Sequence, residues 1–174
     1  MVIDSPRAPS PLPTEFLPAE RATAEELERQ ITILRTSPIV GPLLDAVLGF
    51  VTVLNRHRQV VLINEALRGY MLSHGLPLEV GGRPGEMLQC VTAAASVGGC
   101  GTSAACRYCG AAHRLAAALA GGSGLRECRI RREAAGQDLD LLVRVTPIVL
   151  QDEPFMIFAA LDVSHERRFS ISAI

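Results

Sequence analysis

Two periods alternate along this chain. Leu27, Ile31 and Leu34 recur at spacings of four and three behind "TAEE" at 23–26. This predicts a helix with a narrow apolar stripe, capped by Thr23, with Glu26 reaching back as in a capping box. Pro38 and Pro42 break it, and "LLDAVLGF" at 43–50 reads as a second short helix. The pattern then tightens to period two. "FVTVLNRHRQVVLIN" at 50–64 gives two β-rich runs around a polar turn that lacks Asn-Gly, a hairpin signal of middling turn chemistry. Asn64 is placed to cap a helix over "EALRGYML".

Gly75, Pro77, Gly81, Gly82 and Pro84 mark a loop. A helix is expected over "GEMLQCVTAAA" at 85–95, then the glycine turn "GGCG". A further helix, capped by Thr102 or Ser103, should run to about Ala120 and stop at Gly121 and Gly122. Three strand-like runs follow at 125–132, 139–150 and 155–163, with turns expected at Gln137–Asp138 and at Gln151–Pro154. Two strands, several short helices and three strands in that order predict an α+β fold on an antiparallel sheet.

The chain has 174 residues, 48% of them hydrophobic and 20% charged, enough for one domain with a real core and an extension. Five prolines in residues 1–20 predict a flexible, Pro-rich tail over 1–21. The segment 22–48 is helical, and its stripe reads either as packing on its own domain or as a homodimer seam. The main domain spans 49–168, leaving 169–174 as a C-terminal end. A net charge of −1, with all 17 basic residues arginine and scattered, argues against bulk attraction to nucleic acid or to an anionic membrane surface. No apolar run approaches the roughly 20 residues of a membrane span, and the start lacks the layout of a secretory signal, so a cytoplasmic location is expected.

That location changes the reading of the cysteines. Clustered cytosolic cysteines are metal ligands or redox groups more often than structural disulfides. Four of the five fall in twenty residues, as Cys90-x9-Cys100-x5-Cys106-x2-Cys109, and Cys128 lies eighteen residues on. A C-x2-C pair converges on one metal or cluster, and thiolates suit iron–sulfur centres, zinc and copper(I). The C-x5-C-x2-C run with a distant fourth cysteine is close to plant-type ferredoxin spacing. Two separate knuckles, the commoner zinc pattern, are absent. Cys90, Cys100, Cys106 and Cys109 are therefore expected to hold an iron–sulfur cluster, with zinc as the alternative cofactor. Cys128 is the substitute ligand, replacing Cys90. Gly98, Gly99 and Gly101 would bring backbone N–H groups to cluster sulfides.

On one continuous helix Cys106, Cys109 and His113 would share a face, which makes His113 a further candidate ligand, for a mixed metal site or for haem. A thiol–disulfide switch without metal, and a small ligand in an internal pocket, stay open. Asp138 and Asp140 read as solvated, and His57, His74 and His165 carry no assigned role. No nucleophile elbow, phosphate loop or dinucleotide fingerprint is present, so the chain is not expected to be an enzyme.

Over roughly 40–168 the sequence resembles PAS sensor domains. "VTVLNRHRQVVLINEAL" looks like the opening hairpin, and "FAALDVSHERR" like the last strand and the exit toward a signalling helix. "GGRPGEMLQC", "GGCGTSAACRYCGA" and "ECRI" resemble a cysteine-bearing PAS subgroup of bacterial histidine kinases and related regulators. The resemblance implies a five-stranded antiparallel sheet with short helices on one face, and a sensory, non-catalytic role. Redox state or oxygen would be the signal, and a histidine kinase or regulator the downstream partner. A phosphoacceptor helix pair is not expected around "SHERR", which leaves a free-standing sensor or a piece of a larger regulator. Arg83 and Glu86 in "RPGE" match the subgroup and are expected to form an ion pair at a helix start.

Overall fold

The computed structural model describes residues 12–78, 80–133 and 137–166. The first hairpin forms where the period-two run predicts it, β1 over Phe50–Asn55 and β2 over Val60–Ile63. Its turn needs no Asn-Gly pair, because the Asn55 side-chain oxygen accepts from the His57 and Gln59 N–H groups at 2.9 and 3.0 Å. Arg58 takes the left-handed conformation there, with φ 65°.

The remaining strands are β3 (Gly124–Ile130), β4 (Leu139–Leu150) and β5 (Glu153–Asp162). The β4–β5 hairpin closes through Gln151 and Asp152, both at positive φ, as a two-residue turn matched to strand twist requires. All pairings are antiparallel and the sheet order is β2-β1-β5-β4-β3. The expected α+β fold on a five-stranded antiparallel sheet is what the chain adopts.

Alternation along β1 and β5 builds two cores, one per face. Leu54, Met156, Phe158 and Ala160 face one side, where α3 (Glu65–Ser73) and the later short helices pack. Val51, Val53 and Phe155 face the other. That second face is covered by α1 (Ala24–Thr36) and α2 (Val40–Asp45). The short helices after the first hairpin therefore lie on one face as expected, and the preceding N-terminal helices cover the other. Leu34 is fully buried there and Leu27 and Ile31 pack beside it, so the α1 stripe is used within its own domain. Thr23 caps α1 by accepting from the Glu26 N–H at 3.1 Å, while the Glu26 carboxylate turns to Arg56. Asn64 caps α3 as expected, accepting from Leu67 N–H at 3.0 Å.

The middle of the chain departs from the sequence expectation. The helix foreseen over 85–95 is two single turns, α4 (Pro84–Met87) and α5 (Val91–Ala94), interrupted at Gln89 with φ 56°. The helix foreseen from Thr102 to Ala120 begins as a 3-10 turn over Ala104–Tyr108. It passes through extended Cys109 and resumes as α6 (Gly110–Leu119). Helical propensity over this alanine-rich stretch yields to the tertiary need to turn the chain at each cysteine.

Of the tail foreseen over 1–21, residues 1–11 lie outside the described residues. Within it, residues 15–20 form a strap across the cysteine loop. The Glu15 and Leu17 N–H groups donate to the Thr102 and Gly101 carbonyls at 2.8 and 3.0 Å, and Leu17 enters the core. The expected C-terminal end at 169–174 lies outside the described residues. Among the described residues no helix is long and apolar enough to cross a membrane.

Candidate metal centre

All five cysteines line one cavity of about 200 Å³ between α4, the loop after α5, the start of α6 and the sheet. Each arrives by a different device. Cys90 follows the break after α4, its N–H donating to the Gly85 carbonyl at 2.7 Å. Cys100 sits between Gly99 and Gly101, whose φ angles of 78° and 90° place them in the left-handed region. Cys106 is on the 3-10 turn, its thiol 3.4 Å from the Ser103 hydroxyl. Cys109 stands at the N-terminus of α6 and Cys128 in β3, and their sulfurs are 3.5 Å apart. No cysteine is in a disulfide.

The thiols do not share one electrostatic environment. Burial pushes the Cys100 thiol up to about 12, with the neighbouring cysteines adding to it. Cys109 is held below the ordinary cysteine range, first by its hydrogen bond with Cys128 and then by the Ala112 and Ala111 N–H groups of α6. Cys128 is pushed up by the same hydrogen bond. The pair thus behaves as a thiolate and a thiol sharing one proton, the thiolate on the helix side.

Behind the Cys100 loop lies a cationic scaffold. Arg83 is fully buried, and its guanidinium donates to the carbonyls of His57 (3.1 Å), Gly98 (2.9 Å), Cys100 (3.4 Å), Pro18 (3.4 Å) and Glu20 (2.8 Å). Arg58, 2% exposed, donates to the Pro18 carbonyl, and its Nε has no partner among the described residues. Glu86 accepts from Arg21 (2.6 Å), Arg83 N–H (2.9 Å) and Cys100 N–H (3.1 Å). Burial alone would raise its carboxyl, but these hydrogen bonds override burial and hold it below the usual carboxylate range. Arg83 and Arg58 do not line the cavity; the arginines that do are Arg129 and Arg131.

The sequence expectations fare unevenly. Cys90, Cys100, Cys106 and Cys109 are brought to one cavity, and Cys128 joins them. His113 is not on a shared helical face with Cys106 and Cys109, because the helix breaks between them. Its Nε2 meets the Arg107 carbonyl and its ring lies 5.4 Å from that of Phe16. The expected Arg83–Glu86 ion pair is a Glu86–Arg21 pair instead. Asp138 and Asp140 both pair with Arg129. Of the glycines expected to bring N–H groups to sulfides, Gly99 donates to the Ser96 carbonyl, and the neighbouring Cys100 N–H donates to Glu86. Composition does not reveal the strap or the arginine scaffold. The one local hint was "RPGE", where a glycine follows Pro84.

Among the described residues no three His, Cys, Asp or Glu side chains gather tightly enough for a single ion. The donors surround a space instead. A second cavity, between β1, α3 and α4, has room for about 20 Å³, the scale of one water. The cysteine cavity is itself below the roughly 300–1,000 Å³ of organic-ligand pockets. Haem or flavin fits neither. A compact, thiolate-held group fits the larger one.

No protein-family model matches this chain, and no curated protein matches it. It is similar to the PAS domain of an HTR-like protein from Haloarcula marismortui, at 13% identity and a TM-score of 0.46, over 78% of this chain and 98% of that one. It is similar to the PAS domain of nitrogen regulation protein NR(II) from Vibrio parahaemolyticus, at 13% identity and 0.46, over 73% of this chain and 100% of that one. It is also similar to the Rhodobacter sphaeroides LOV protein, at 15% identity and 0.46, over 78% of this chain and 68% of that one.

Proposed function

We propose that this chain is a PAS-type sensory domain whose cysteines hold an iron–sulfur centre, through which redox state or oxygen is read and passed to a signalling partner. The carrying observation is the convergence of all five cysteines on one small cavity backed by buried arginines. The PAS part is supported by the element order: two strands, short helices, then three strands closing an antiparallel sheet. The choice of a cluster over zinc is supported by how the donors are spread. A bare tetrahedral ion needs four sulfurs about 3.7 Å apart. Donors ringed around a space suit a group with size of its own. Arg131 in the lining, and Arg58 and Arg83 behind the Cys100 loop, suit the net negative charge of a thiolate-ligated cluster.

Cys100, Cys106 and Cys109 are the ligands we assign first. Cys128 takes the fourth place ahead of Cys90, because the Cys109–Cys128 separation of 3.5 Å is already that of two thiolates on one metal. An iron–sulfur group supplies reversible one-electron chemistry when bound. The chain's part is to exclude water, to hold thiolates through the α6 N-terminus, and to transmit displacement. The strap gives a route: residues 15–20 lie on the loop carrying Cys100 and lead directly into α1 on the opposite sheet face. A partner reading α1 would read the state of the loop.

Anaerobic purification with a visible spectrum and iron, sulfide and zinc analysis tests this. Brown protein with iron and acid-labile sulfide, bleached by air, is the expected result. Colourless protein with about one zinc per chain would overturn it in favour of a metal-stapled interaction module.

A further inference from the structure

Gly110, the first residue of α6, is pressed against β3. A Cβ placed on it would fall 1.8 Å from the Glu127 carbonyl oxygen. Only glycine permits that approach, and it seats the helix start directly on the strand. The residues next to the contact, Cys109 before Gly110 and Cys128 after Glu127, are thereby held face to face with sulfurs 3.5 Å apart. This juxtaposition is set by backbone, not by side-chain choice.

The geometry points to a peroxide-driven Cys109–Cys128 disulfide as a second state of the metal-free chain. This inference does not depend on the cluster reading, since it concerns the protein without metal. Cys128 is 4% exposed and Cys109 is less buried, so Cys109 meets the oxidant first. Its sulfur takes one oxygen from hydrogen peroxide and becomes a sulfenic acid, releasing water. The Cys128 sulfur then displaces the hydroxyl, forming the S–S bond and releasing a second water. Two thiols lose two electrons and two protons, and one peroxide becomes two waters. The two sulfurs must close by about 1.5 Å to reach bonding distance. Small rotations about the two Cα–Cβ bonds, which swing each sulfur, supply this without parting α6 from β3.

The bond would pin α6 to β3 and remove two thiols from the cavity at once. With the ligand set proposed above, and only with it, a metal-free chain in this state takes up no metal until a thiol reductant reopens it. The disulfide is thus a lock on the empty site.

The test uses the full chain, stripped of metal by chelation under reducing conditions, desalted, and treated with one to two equivalents of hydrogen peroxide. Free thiols are alkylated in denaturant and the peptides mapped by mass spectrometry. A crosslink joining the Cys109 and Cys128 peptides as the main product is expected. A Cys106–Cys109 crosslink, any crosslink from Cys90 or Cys100 as the main product, or sulfinic acid with no crosslink overturns the inference. Cys128→Ser should leave Cys109 as a sulfenic acid that dimedone traps. Gly110→Ala, if folded by circular dichroism, should slow crosslinking at least fivefold, and an unchanged rate would also count against the proposal. Iron content, measured separately on untreated protein, reports on the cluster reading and leaves this result independent of it.

Discussion

Replacing Arg83 with methionine tests the arginine scaffold most directly. Methionine fills similar volume and removes the charge and every donor. Three acceptors now lose short bonds, the carbonyls of His57, Gly98 and Glu20 at 3.1, 2.9 and 2.8 Å. Each buried acceptor left unpaired costs about 1–3 kcal/mol, while removing a buried charge returns part of that. Taking the low end for each gives a net loss of about 3 kcal/mol. For a domain of this size that lowers Tm by roughly 6–12 °C. The loss has a local signature too. Arg83 and Arg58 both anchor the strap through the Pro18 carbonyl, and Arg83 also holds Glu20. Trypsin should therefore cut after Arg21 in the variant well before it digests the domain. Arg83→Lys keeps the charge but not the planar fork, and should fall between the two. An Arg83→Met protein that melts within about 2 °C of the parent, with unchanged cleavage after Arg21, would refute the scaffold argument.

Further outcomes follow from the same geometry. Gly85→Ala places a methyl 2.7 Å from the Cys100 sulfur and 3.4 Å from the Cys90 Cβ, so iron per chain should drop by half or more, while overpacking and helix propensity nearly cancel in Tm; full iron retention would mean Cys100 is not a ligand. Glu86 has a folded-state carboxyl held below its unfolded value, so its stabilisation is complete above the ordinary carboxylate range and is lost as pH falls through the folded value. The Tm gap between the parent and Glu86→Gln should accordingly be wide at pH 7 and close on acidification, and a gap constant with pH would contradict the assignment. In the reduced, metal-free chain, alkylation of Cys109 by iodoacetamide should have a pH midpoint below the ~8.5 of a free cysteine, whereas Cys128 should stay unreactive through that range.

What could be read from the sequence divides along a physical line. Strands and their turns were legible because alternation and turn chemistry are local: the 50–64 hairpin, the Asn64 cap and the three closing strands fall where the pattern puts them. That the cysteines converge was legible in their clustering, and the shape that brings them together was not. "AACRYCGAAHRLAAALA" has helix-forming composition throughout. The turn at Cys109 is set by Gly110 meeting the Glu127 carbonyl across the domain, a contact no window of sequence contains. The misplaced role for His113 follows from that one break. The α1 stripe was ambiguous for the opposite reason. A narrow apolar seam suits a partner helix or a sheet equally, and it is Val51, Val53 and Phe155 on the second sheet face that take it up. Residues 15–17 looked unstructured because their order comes from backbone groups meeting the 101–102 carbonyls, which side-chain composition does not encode.

The two faces of the sheet join at the strap. On the proposed function a signal starts in the cavity on one face and is read at α1 on the other, and a sheet with a packed core on each side is stiff. The chain bypasses the sheet. Residues 15–20 are fastened to the Cys100 loop by backbone hydrogen bonds and by Arg83 and Arg58, and the Ala22 N–H is fastened to Gln59 at 2.7 Å. Two residues later α1 begins, with Gln30 buried against Asn55 at 3.0 Å and Arg29 paired to Glu153. On the cavity side the polar fastenings depend on where loop carbonyls point, and Leu17 adds one apolar anchor in the core. On the far side the α1 contacts are largely apolar and tolerate sliding. A change in the loop should therefore shift α1 as a body before it melts it. Hydrogen exchange measured with and without bound metal checks this: protection should change at 15–22 and 98–107 together, while the α1 amides at 27–34 keep theirs. Loss of protection throughout α1 would mean that the helix unfolds, and that the strap releases it instead of moving it.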